Sequence, residues 1–390
     1  MDWVNRLREQ FPAAQNTTFL DIAYENSGSL FAKEAVYRFL EDWSDVSPEI
    51  VKAGGAGKGN IISVVAETRQ LLAALLGGVD PKNIAFTKNT NEGISMILQG
   101  FPFRPGDNVV TDDQEHPSVL IPCLNLQPRG VECRIAVSPD QVSVTPDLLW
   151  QHVDGNTRMI VISHVQSCSG YRTDIQELAR RCREKGIYLV VDAIQSLGFC
   201  PCDAEAWQVD AISSACYKGM LGTEGIGFLY CRDELLEQVW PVYAAANDCI
   251  SIDKSGDRWK LVLKDPKDAR KLENSTMNFS GIYSLNAGLK QVIGIGVDNI
   301  YAHISNLVDM LFDGLLNQGY VIATPADKDR RCHSIAFEMS DLKAGYEYFE
   351  RSGVFLSLSA GRFIRMSVAP FTIENDIRKA LEVARNCPIR

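Results

Sequence analysis

Apolar positions over the first two-thirds of the chain fall into short β-branched runs separated by stretches of helical period. The clearest run covers residues 187–191 and has no polar alternation, as expected of a strand buried on both faces of a parallel sheet. Similar runs predict strands at 83–87, 107–111, 158–163, 210–214 and 227–230. Between them, helical patterns occupy 92–99, 117–124 and 175–185. This alternation predicts a mostly parallel sheet covered by helices on both sides.

Beyond about Val242 the pattern changes. Residues 247–274 are polar and lysine-rich without a clean period, which predicts a long surface excursion. A long helical pattern with weak breaks follows over 281–319. The remainder mixes strands (334–338, 363–368) with helices (342–352, 374–386). The expected architecture is α/β: a large domain over 21–284, and a smaller α+β C-terminal domain over 285–390 joined by residues 1–20.

Composition narrows the function classes. With 46% hydrophobic and 23% charged residues, the 390-residue chain reads as an ordinary globular protein. A net charge of −10 with no basic run argues against a nucleic-acid partner. No apolar stretch approaches the ~20 residues of a membrane span, and the charged N-terminal segment lacks a signal-peptide core. The expectation is a soluble cytoplasmic protein. Eleven scattered cysteines contain no CxxC pair. Cys133 and Cys231 fall at apolar strand positions, and Cys200 and Cys202 form a lone CxC, so these read as packing residues, with no metal site expected.

Chemistry concentrates at strand ends. The run 187–191 leads into Asp192, where ligands gather in open α/β sheets. Lys218 follows a second strand and opens a glycine-rich turn. An acid at one strand end and an isolated lysine after the next is the wiring that pyridoxal 5'-phosphate requires. The lysine forms the Schiff base, and the carboxylate keeps the pyridinium nitrogen protonated so that the ring acts as an electron sink. Asn89, Thr90 and Asn91 sit where a strand hands over to a helix, a place suited to a phosphate or to simple capping. His116, after another strand end, can stack on a cofactor ring. His152, His303 and His333 lie in ordinary helical or surface contexts, while His164 at a strand end is open to either reading. Gln195, three residues past Asp192, is within reach of a cofactor hydroxyl. Arg365 lies in an apolar strand and needs an anion, either a substrate carboxylate or a structural partner. Arg362 reads as solvent-facing. A nucleotide-dependent oxidoreductase is the rival outside this chemistry. No GxGxxG follows a strand, however, and residues 54–59 lack both the preceding strand and the Ser/Thr of a P-loop.

Taken together, the segments 19–21, 89–94, 115–116, 163–166, 191–198, 217–219 and 222–230 resemble the class V aminotransferase superfamily of fold-type I pyridoxal-phosphate enzymes. That group includes cysteine desulfurases, selenocysteine lyases, isopenicillin-N-epimerase-like proteins and hercynylcysteine sulfoxide lyases. The resemblance implies a seven-stranded-type sheet in the large domain and assigns roles by position. Lys218 is the Schiff-base lysine and proton shuttle, Asp192 pairs with the ring nitrogen, Gln195 with the ring hydroxyl, and His116 stacks on the ring. Thr90 and Asn91 hold the phosphate, and Arg365 takes the carboxylate of a small amino-acid substrate. Thr276 lies in a segment (273–278) that reaches the neighbouring subunit's phosphate, which implies a homodimer with a shared active site. The chain departs from cysteine desulfurases in three places. Residues 353–362 contain no cysteine where desulfurases carry their nucleophile loop, Tyr217 and Ala215 replace the usual residues near the lysine, and Ser167 replaces an asparagine. The expectation is transamination or C–S lyase chemistry at the α-carbon, with amino-acid epimerisation the alternative and desulfuration disfavoured. Cys168 and Ser214 receive no role.

Overall fold

The computed structural model describes residues 2–44, 58–243, 250–253, 255–256, 258, 260–263 and 267–389. Its strands run in chain order as β1 (Thr18–Phe19), β2 (Ile84–Thr87), β3 (Asn108–Asp112), β4 (Glu132–Ala136), β5 (Thr157–Ser163), β6 (Tyr188–Asp192) and β7 (Ala211–Ala215). They continue as β8 (Gly227–Cys231), β9 (Ile250–Asp253), β10 (Lys260–Leu263), β11 (Ser334–Phe337), β12 (Val354–Phe355), β13 (Ser357–Ser359) and β14 (Phe363–Ser367).

Seven of them form one sheet in the order β2-β8-β7-β6-β5-β3-β4, with only β8 antiparallel to its neighbours. The unbroken apolar character of β6 follows from its two covered faces. Leu189 and Val191 pack into one core with Leu178 and Cys182 of the helix Ile175–Lys185. Val190 points the other way, into a core with Val161, Ile94 and Ile97 of β5 and the helix Thr90–Gly100. Each such fully buried aliphatic side chain contributes about 1.5–3 kcal/mol. The parallel strands therefore deliver their carboxyl ends, including Ser163 and Asp192 side by side in register, to one edge of a rigid slab.

A second sheet, β11-β14-β13, is antiparallel, and β1 pairs in parallel with β12. The N-terminal segment lies against this C-terminal part: Phe11 stacks on Phe371 at 3.9 Å, and Arg8 pairs with Asp376 at 2.6 Å. The helical pattern at 281–319 is two helices, Phe279–Ile295 and Val297–Asn317, broken at Gly296, whose φ of +89° suits glycine. The first passes without interruption through the boundary expected at 284/285.

The excursion expected at 247–274 is more structured than its composition suggested. β9 and β10 pair as an antiparallel ribbon, and the turn Ala269–Leu272 buries both of its apolar ends. Glu273 then returns to the large sheet, accepting from Arg69 Nη2 at 2.5 Å and from the Phe86 amide at 2.9 Å. Residues 54–57 lie outside the described residues, and Lys58 opens the helix Lys58–Leu75. No helix among the described residues is long and apolar enough to cross a membrane.

Candidate active site

Lys218 and Asp192 come together at the sheet's carboxyl edge. A cavity of about 450 Å³ is lined by His116, Cys168, Gln195, Tyr217, Lys218 and Arg365, among others. It shares His116, Gln195 and Lys218 with a smaller recess of about 70 Å³ that adds Thr90 and Asp192. Lys218 is buried, and burial, followed by the charge of Arg365, brings its ammonium down to about 7 against the pull of Asp192 and Asp21. Burial pushes the Asp192 carboxyl up to about 7. A neutralisable amine beside an acid that titrates near neutrality is a pattern concentrated at functional sites.

The donor set fits pyridoxal phosphate. Among the described residues, Asp192 Oδ1 accepts only from the Ile194 amide, at 2.9 Å. Gln195 is buried and donates its amide to the Ala23 carbonyl at 2.9 Å, which leaves its Oε1 without a partner among the described residues. An orphaned buried acceptor beside the lysine is costly unless a ligand satisfies it. His116 caps the helix Pro117–Leu124 with Nδ1, accepting from the Ser118 amide, so its ring is fixed at the cavity wall with one face exposed. Burial, and then the charges of Lys218 and Arg365, hold its pKa below the usual value.

The other residues singled out in the sequence lie in this recess or apart from it. Thr90 lines the recess, but its hydroxyl accepts from the Ala215 amide at 2.9 Å. Asn91 gives its amide to the Ser118 carbonyl at 3.2 Å, and Asn89 is the helix cap, accepting from the Glu92 amide. Thr276 is not in the Lys218 cavity. It lines a separate one of about 720 Å³ with Lys88, Asn89 and Asn278. His333, expected in an ordinary surface or helical context, is fully buried and stacks on Phe199 at 3.9 Å, because that ring from the loop after Asp192 covers it. Arg362 is half-buried rather than solvent-facing, and reaches Gln114 Oε1 at 3.3 Å. His164 is buried against Trp207, and burial drives its pKa down to about 3.

Several contributors were not legible in the sequence. Asn26 clamps the Lys218 loop, its side-chain amide reaching the Tyr217 carbonyl at 2.6 Å and that of Gly222 at 2.8 Å. Glu115 braces β5 from behind: its carboxylate takes the Ser163 hydroxyl at 2.5 Å and also the Ser163 amide. Asp112 lies beside it, with Gln166 Nε2 reaching both acids. Burial raises both carboxyls above the usual carboxylate range, and the charge of Asp112 pushes Glu115 further up. Among the described residues no group of acids, histidines and cysteines forms a metal site.

The family model for "Aminotransferase class-V" matches residues 26–378. The chain belongs to the class V aminotransferase family. It is accordingly a pyridoxal-phosphate-dependent enzyme. Among similar curated proteins, a "Probable cysteine desulfurase" of Methanothermobacter thermautotrophicus is 28% identical over 78% of this chain and 74% of its own. An "Uncharacterized aminotransferase" of Schizosaccharomyces pombe is 28% identical over 85% and 83%. The fold is shared with an apo cysteine desulfurase from Thermococcus onnurineus (TM-score 0.86, 21% identity, 97% and 96% covered). It is also shared with the cystine C–S lyase C-DES, solved with cysteine persulfide (TM-score 0.86, 22% identity, 97% and 99% covered). These neighbours share the expected fold, and this chain carries the expected seven-stranded sheet.

Proposed function

We propose that this class V enzyme is a homodimer that cleaves a C–S bond at the β-carbon of a small amino acid. The single observation behind this is one cavity that holds a buried lysine of lowered basicity and a buried arginine together. Arg365 binds the substrate carboxylate and fixes which bond of the α-carbon faces Lys218. Near neutrality Lys218 is partly unprotonated, so it can remove the α-proton, and its pKa of about 7 suits both taking and returning it. Asp192 holds a proton toward the cofactor nitrogen, Gln195 presents its free carbonyl oxygen, and His116 closes the exposed face. Pyridoxal phosphate, bound there, supplies the electron sink for charge developing at the α-carbon. Loss of a β-sulfur substituent then releases the charge.

The absence of a cysteine from 353–362 favours elimination into solvent over capture by a loop thiol. Sulfur transfer to the protein is a second reading with one observation in its favour: Cys168 lines the cavity. Transamination and epimerisation share the first proton transfer and differ only in where the proton returns. Ten free cysteines among the described residues, nine of them buried, suit a reducing cytoplasm.

The test is to incubate the holoenzyme with a panel of cysteine derivatives while recording pyruvate, sulfide, keto acids and the cofactor spectrum. Pyruvate with a released thiol or sulfide supports the proposal, a persulfide mapped to Cys168 supports the second reading, and a keto acid that keeps its sulfur overturns both. Lys218→Ala should lose the lysine-bound absorbance and its fixation by borohydride.

A further inference from the structure

Arg365 is buried and makes no ion pair among the described residues. Its fork is instead held by two neutral oxygens. Ser357 Oγ accepts from Nε at 3.1 Å and from Nη2 at 2.9 Å, and the Ser167 carbonyl accepts from Nη1 at 2.5 Å. A guanidinium has five N–H donors. These contacts use three and leave one on each terminal nitrogen, enough for both oxygens of a carboxylate.

The register of the small sheet makes this arrangement rigid, because Ser357 of β13 is the direct partner of Arg365 of β14. On the far side of Ser357 lies Asp21. The N-terminal segment carrying it is locked to β14, with the Ser367 amide donating to the Leu20 carbonyl at 2.7 Å and the Ala23 amide to Ser367 Oγ at 2.8 Å. Burial raises the Asp21 carboxyl against the opposing pull of the Ser357 hydroxyl, Arg365 and Lys218, and its Oδ1 is buried without a partner among the described residues. With its lone pairs turned to Arg365, Ser357 has its own proton free for that acid. Asp21 thereby acts on the guanidinium across a hydroxyl and does not occupy the fork.

We propose that Ser357, oriented by Asp21, is the positioning residue that aims Arg365 and reserves its two free N–H groups for the substrate carboxylate. This rests on the reading of Arg365 as the carboxylate anchor. Its chemical consequence is selectivity for amino acids over the corresponding amines. A carboxylate in place of Ser357 would neutralise the fork, and an alanine would let it turn.

Two reagents of equal chemistry separate this role from a structural one. Aminooxyacetate and O-methylhydroxylamine both attack the imine carbon of the lysine-bound cofactor and displace the lysine amine, but only the first carries a carboxylate. Stopped-flow loss of cofactor absorbance in the holoenzyme should show aminooxyacetate reacting faster. In Ser357→Ala that rate should fall about tenfold, the effect of losing one hydrogen bond to a charged group, with the O-methylhydroxylamine rate unchanged. Asp21→Asn should act in the same direction, and Ser357→Thr should restore the preference. A preference retained in both Ser357→Ala and Asp21→Asn overturns this inference alone, as does an equal slowing of both reagents. No preference in the wild-type enzyme removes Arg365 from the site, and this inference with it.

Discussion

Gly198 and Gly219 lie backbone against backbone: a Cβ on Gly198 would sit 2.1 Å from the Gly219 carbonyl oxygen. The reverse contact is as close, since a Cβ on Gly219 would meet the Leu197 carbonyl at 2.3 Å. Gly198 lies in the loop that follows Asp192, and Gly219 follows Lys218. The separation of Asp192 from Lys218 is therefore set by two loops touching without side chains between them.

Gly198→Ala should push these loops apart. Overpacking costs about 1–3 kcal/mol, and the φ of +83° adds roughly 1–2 kcal/mol for a residue with a Cβ. Both a lower thermal midpoint of the apo-protein and weaker cofactor uptake are expected. A variant that matches the wild type in both would mean the loops do not set the site.

Arg365→Ala should weaken binding of amino-acid substrates by roughly 2–5 kcal/mol, because the carboxylate would lose its buried partner. Arg365→Lys should recover only part, since an ammonium keeps the charge but not the fork. Spectral titration of the holoenzyme measures both, and an unchanged apparent affinity in the alanine variant would exclude Arg365 from the pocket.

The residues that were legible in advance lie on elements whose burial the sequence itself reveals. Asp192 ends a strand apolar on both faces, and Arg365 interrupts another, so each stood out by contrast. Ser357, Asp21 and Asn26 are small polar residues in turn-like surroundings, and their roles come from contacts between segments hundreds of residues apart. Of β4 only the strand-like position of Cys133 was legible, because this edge strand leaves Glu132 exposed and three of its residues half-buried, which blurs its pattern. His333 was misplaced because its burial depends on Phe199, a ring that no local pattern connects to it.

The proposed dimer has a specific face. Trp43 and Ile62 are 63% and 65% exposed, and they line a cavity of about 850 Å³ with Phe39, Ile61, Val65 and Thr276. An apolar face of this kind suits a second copy, which would bring Thr276 toward the neighbouring site. Trp43→Glu should shift the protein to monomer in sedimentation velocity, since a central tryptophan at an interface is worth about 2 kcal/mol or more. Cofactor retention should fall in parallel. A dimer that persists in Trp43→Glu would place the interface elsewhere.

His333 gives the stability a defined pH dependence. Both ring nitrogens are buried without partners among the described residues, and burial, then the charges of Arg365 and Lys218, hold its pKa well below the usual value. The folded chain therefore keeps it neutral, while the unfolded chain binds a proton below about 6.5. The unfolded state then carries more protons, so this residue's contribution is intact above that pH. It is lost as the pH falls, by up to about 1.4 kcal/mol per pH unit. His333→Phe keeps the stack on Phe199 and removes two unsatisfied polar atoms. It should stabilise the apo-protein by about 1–3 kcal/mol at pH 7.5, and the advantage should widen toward pH ~5.5. Urea unfolding of both proteins at the two pH values checks this, because His164, neutral in both folded chains, cancels in the difference. An advantage of the same size at both pH values would show that His333 does not resist protonation in the folded state.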